Sequence, residues 1–158
     1  MTYLDRATSL YEQDILLWSE ETVAQLKARD FDNLDVDHLI EEVEALGISQ
    51  KKELISRLIV LLEHLMKRLY VNSPHDYQGW ERTIRTQRSE LEVLLDAVPS
   101  LGTRWDSSFD KAWKIALKNV SKEYTQTNFP VDWLYSRSPA DMLDRDFWLD
   151  FSGDCLGE

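Results

Sequence analysis

Apolar residues recur along this chain at intervals of three and four, and no stretch alternates with the period of two that a half-buried strand requires. From about Thr8 to Arg29, the residues Tyr11, Ile15, Trp18, Thr22 and Leu26 share one face of a first helix, and Asp30 to Asp35 form a polar connection. A short second helix follows, capped by Asp35 or Asp37. It is expected to bury Val36, Leu39, Ile40, Val43 and Leu46 and to close at Gly47 in a left-handed C′ conformation. Ser49 then caps a third helix running to about Tyr70. There Leu54, Leu58, Leu61, Leu65 and Leu69 form one row, with Ile55, Ile59, Leu62 and Met66 beside it. So wide an apolar face implies the central helix of a bundle, or one that also meets a partner.

A loop from Val71 to Gln78 interrupts the pattern. Gly79 and Trp80 open a fourth helix that turns Trp80, Ile84, Leu91, Leu94 and Val98 inward. Glu81 with Arg85, and Arg88 with Glu92, read as pairs four apart on its exposed side; Pro99 ends it. The fifth helix starts between Ser100 and Arg104 and lasts to about Thr127. Trp105, Phe109, Trp113, Ala116, Val120 and Tyr124 face inward, and Lys111, Lys114, Lys118 and Lys122 face solvent. After Asn128 an aromatic, non-periodic strip begins, and Ser138-Pro139-Ala140-Asp141 opens a short last helix. This strip, residues 128–158, is too apolar for a free tail. It is expected to pack back on the core of about residues 8–127, or on a partner. The pattern predicts an all-α fold: a bundle of four to five main helices in a single domain, residues 1–158.

Composition narrows the class. The chain has 158 residues, 43% of them hydrophobic, with six Trp and six Tyr, which is enough to bury a core without staples. The one cysteine, Cys155, allows no disulfide within the chain and points to a reducing compartment. Its acidic neighbours disfavour an activated thiolate. The opening MTYLDRATSLYEQD lacks the basic start and apolar run of a signal peptide. The most apolar stretch, Leu58 to Met66, is too short to span a bilayer, so a cytoplasmic location is expected. The net charge is −11. Asp32, Asp35, Asp37, Glu41, Glu42 and Glu44 crowd residues 31–47, which hold no Lys or Arg. Such a chain repels phosphates at long range, and neither nucleic acid nor a membrane is an expected partner.

Candidate chemistry is sparse. Arg57 and His64 lie on nearly one face of the third helix, two turns apart. Their spacing resembles the loose Arg-spacer-His pattern of HEPN ribonucleases, although Leu58 replaces the polar residue that often follows the Arg. The alternative is a half-buried pair tied to the acidic second helix. His38, Glu41 and Glu42 stand at i, i+3 and i+4, within reach of one divalent ion. A di-metal bundle, however, needs two Glu-x-x-His steps, and the nearest here is Asp35-x-x-His38. The better reading of the charges is a polar network, with Glu41, Glu42 and Glu44 set against Arg57, Arg85 and Arg88. Gln87 falls on the apolar stripe of the fourth helix and needs a partner, such as Thr83 or a carboxylate. No nucleophile motif, phosphate loop or Gly-rich turn is present, and no cofactor is expected. The functional expectation is a non-enzymatic helical interaction domain whose partner is a protein, itself included as a homodimer. A HEPN-like endonuclease, or a toxin or antitoxin component, is the alternative, and a metal-binding bundle a fainter one.

Four stretches carry a family resemblance: YEQDILLWSEETVAQLKARDFDNLD at 11–35, HLIEEVEALGISQKKELISRLIVLLEHLMK at 38–67, GWERTIRTQR at 79–88, and the closing FP…SPADMLDRDF. Together they resemble the bacterial "domain of unknown function 29" family, in the family's order and over nearly the whole chain. The resemblance implies an all-helical domain of this length and no particular activity. Where the family tends to carry Cys-Pro before the last helix, this chain has Ser138-Pro139, which puts a thiolate role there in doubt.

Overall fold

The computed structural model describes residues 9–152, and every regular element among them is helical. In chain order these are α1 (Leu10–Gln13), α2 (Ile15–Lys27), α3 (Val36–Tyr70), α4 (Pro74–Ala97), α5 (Trp105–Glu123) and α6 (Pro139–Asp144). Single 3₁₀ segments cover Pro99–Arg104 and Phe147–Ser152. The fold is an all-α helical bundle. Thr8, the expected start of the first helix, and Cys155 lie outside the described residues. The described chain falls into two compact units that divide between Gly47 and Ile48.

In the first unit the expected single helix is two. Asp14 adopts an extended conformation and its carboxylate accepts the amide of Leu17 at 3.0 Å, so it caps α2 instead of continuing α1. Only Trp18 and Thr22 of α2 are buried, and Ile15, expected on that face, is half exposed. The end of α2 is a Schellman closure: the Asp30 amide reaches the Gln25 carbonyl at 2.9 Å and the Arg29 amide reaches Leu26 at 3.2 Å. Arg29 occupies the left-handed position, with φ 58°.

The expected second and third helices are one. Gly47 does not take a left-handed C′ conformation, since no described glycine has positive φ, and α3 runs straight through it and Ser49. A helical glycine costs only about 1 kcal/mol relative to alanine, too little to break a ladder supported on both sides. The expected burial of the second helix also fails. Val36, Ile40, Val43 and Leu46 are 48%, 49%, 59% and 68% exposed.

In the second unit α4 starts at Pro74, five residues before the expected Gly79. The proline sits at N1, where a missing N–H costs nothing, and Ser73 donates to the carboxylate of Asp76 at 2.6 Å. The fifth helix opens as a 3₁₀ turn and ends at Glu123, earlier than expected. In α6 the predicted cap is present, with Ser138 Oγ accepting the Asp141 amide and Pro139 following. The core lies here: Leu54, Leu58, Leu61 and Leu65 of α3 meet Ile84 and Leu91 of α4, Phe109, Ala116 and Val120 of α5, and Met142 and Phe147. Each of these fully buried side chains larger than alanine contributes about 1.5–3 kcal/mol of hydrophobic stabilisation.

Candidate functional site

At about 100° per residue, Val36, Ile40, Val43 and Gly47 fall on the same face of α3 as Leu54, Leu58, Leu61 and Leu65. Gly47, Gln50 and Lys51 interrupt the apolar row midway, and its second half is fully buried in the core. Its first half is bare. In the first unit α1 and α2 take a different face, the one that carries His38 and Glu42, and hold it by polar contacts.

Asp35 is the hub of those contacts. Its carboxylate accepts from Trp18 Nε1 at 3.2 Å and from His38 Nδ1 at 2.6 Å, and the His38 amide adds a longer bond at 3.4 Å. Tyr11 stacks on the His38 ring with centroids 4.1 Å apart, meets Trp18 edge-on, and donates its hydroxyl to Glu42 at 2.6 Å. The bond to Asp35 raises the pKa of His38 above its usual value, and the same bond holds the Asp35 carboxyl below its own. Donation to Glu42 pushes Tyr11 up to about 12. The i, i+3 spacing of Asp35 and His38 was visible in the sequence; the part of Trp18 and Tyr11 was not, because both read as apolar surface.

The metal candidates His38, Glu41 and Glu42 are not gathered. His38 is turned to Asp35 and Glu42 to Tyr11, and no described group of three such side chains is placed to hold an ion. The proposed charge network is rearranged too. Arg57 lies 3.6 Å from both Glu53 and Glu90 and donates to Gln87 Oε1 at 3.5 Å, which gives that stripe glutamine its partner. His64 does not join Arg57: its Nδ1 sits 2.8 Å from the Val60 carbonyl, and burial pushes its pKa down.

Arg88 differs most from expectation. It is buried on α4's inner face, not paired with Glu92 outside. Its Nε donates to the Met142 carbonyl at 2.9 Å, and its two amino groups reach Asp146 at 3.0 Å and the Arg145 carbonyl. Glu81 likewise pairs with Arg68 at 2.8 Å, not with Arg85. Arg68 stands over the Tyr77 ring at 3.9 Å, with Trp148 at 5.1 Å. A groove of about 680 Å³ opens beside these groups, with Arg85, Ser89 and Glu92 at its wall.

Two exposed rows remain without ion partners among the described residues. Asp37, Glu41 and Glu44 edge the bare half of the α3 stripe, while Lys111, Lys114, Lys118 and Lys122 line the outer face of α5 around Ile115, itself 43% exposed. No described helix is long and apolar enough to cross a membrane.

Among the described residues the fold is an all-α bundle in which Arg88 ties α4 to the segment after α6 and the apolar residues of the first half of α3 are exposed. The chain belongs to the family described as "Domain of unknown function DUF29", whose model matches residues 10–148. No curated protein and no solved structure matches it.

Proposed function

We infer that this chain is a non-enzymatic helical interaction domain that binds a second copy of itself through its first unit, in the cytoplasm to which its single cysteine points. The observation that supports this is the uncovered half of the α3 stripe. Among the described residues of the first unit Trp18 is the one large hydrophobic side chain that is buried, whereas Ile15, Leu16, Val36, Ile40, Val43 and Leu46 are all exposed. A unit with so little buried apolar surface gains little stability alone, and the exposed row of Val36, Ile40 and Val43 on one face of α3 supports an interface there. The ribonuclease alternative has no comparable support, because Arg57 is spent on Glu53, Glu90 and Gln87.

Sedimentation of the full chain over a hundredfold range of concentration tests the reading. A concentration-dependent shift to larger species, abolished by Ile40→Glu with Val43→Glu, is expected. A monomer at every concentration overturns it.

A further inference from the structure

The proposed self-association leaves open what covers the bare stripe, and charge decides between the candidates. An antiparallel twofold contact of the stripe with itself would bring Asp37, Glu41 and Glu44 against the same three acids of the second copy, in a stretch that holds no Lys or Arg. Like charges juxtaposed in this way disfavour the contact. The opposite arrangement is available on the same molecule. Lys111, Lys114, Lys118 and Lys122 are spaced three, four and four apart, so they form one straight row on α5. All four are exposed and none is ion-paired among the described residues. Asp37, Glu41 and Glu44 repeat at four and three, the same axial spacing. Ile115 gives the lysine row an apolar centre, and the lysine stems can lie over apolar surface while their charged ends reach the acids.

We propose that the lysine row of α5 is the docking site for the acidic, apolar first half of α3 of a second copy of this chain. The contact is heterologous, joining two different surfaces. This rests on the self-association inferred above and adds which surfaces meet.

The test is a charge swap on the full chain, read by sedimentation, with helix content checked by circular dichroism. Lys114→Glu with Lys118→Glu in one variant, and Glu41→Lys with Glu44→Lys in another, should each weaken self-association at least tenfold, roughly. An equal mixture of the two variants should recover it, because each reversed face finds a reversed counterpart. Raising salt from about 0.05 M to about 0.5 M should weaken the wild-type association. If a reversed variant loses its helix content, Lys114→Gln with Lys118→Gln and Glu41→Gln with Glu44→Gln replace it, and each should still weaken association. Wild-type association that survives the lysine substitutions, or a mixture that fails to recover, overturns this pairing while self-association stands. A wild-type monomer at every concentration removes both.

Discussion

The Nε of Arg88 lies 2.9 Å from the carbonyl oxygen of Met142, fifty-four positions further along the chain. One buried guanidinium thereby fixes the end of α6 and the turn after it to α4, and the fork of N–H donors fits acceptors that a lysine could not serve together.

Arg88→Met should therefore destabilise the second unit by about 1–3 kcal/mol, since the buried Met142 carbonyl loses its donor while the half-exposed Asp146 can turn to water. Arg88→Lys should recover little of the loss. Urea unfolding followed by tryptophan fluorescence measures both; a change below about 1 kcal/mol would show that the anchor is dispensable.

The two halves of the α3 stripe should answer differently to truncation. Leu58→Ala removes a fully buried side chain and should cost about 2–5 kcal/mol of folding stability. Val43→Ala should leave the urea midpoint nearly unchanged and weaken self-association instead. Equal folding costs at the two positions would contradict the described exposure.

His38 and His64 should titrate on opposite sides of an ordinary histidine. The folded pKa of His38 is raised by Asp35. Its contribution to the first unit is thus fully present below about pH 6.5, the unfolded value, and is lost as pH climbs through the higher folded value. For His64 burial depresses the folded pKa, so its contribution is present above about pH 6.5 and is lost as pH falls through the lower folded value. Ring-proton NMR titration resolves the pair, and His38→Ala should remove the alkaline dependence of α1 protection from hydrogen exchange.

Arg29→Gly should stabilise the protein by about 0.5–1 kcal/mol, because a side chain at φ 58° pays a steric cost that glycine does not. Gly47→Ala should do likewise, by about 1 kcal/mol at most: it sits within α3 and an added Cβ meets nothing within 4 Å. Thermal unfolding of the two single variants checks the signs.

The helical periods of this chain are strong, and the all-α class and the inward rows of α4 and α5 follow from them directly. Punctuation is where the reading departed. Gly47 and Pro74 are both breakers by composition, yet one is carried inside a helix and the other starts one, because neighbouring turns set the outcome. Asp14 was the reverse case, a cap hidden inside an apparently continuous stripe. Spacing alone places Arg88 beside Glu92 on α4, but the true partners arrive from Met142, Arg145 and Asp146, and no local pattern announces a contact made across so long a stretch. The Asp35–His38 pair was legible because it is local. The bare half of α3 was not, since an amphipathic stripe reads the same with or without something to cover it.

Three indoles hold the irregular segment before α6 in place, and each grips main chain. Trp113 donates to the Val131 carbonyl and Trp105 to that of Arg137, both at 2.7 Å, while Trp133 donates to Ser136 at 3.1 Å. Every residue type supplies a carbonyl. The exposed side chain at Val131 is therefore free to drift, whereas inserting or deleting one residue would shift every acceptor out of register. At Val131, selection should act on the length of the segment more than on the letter.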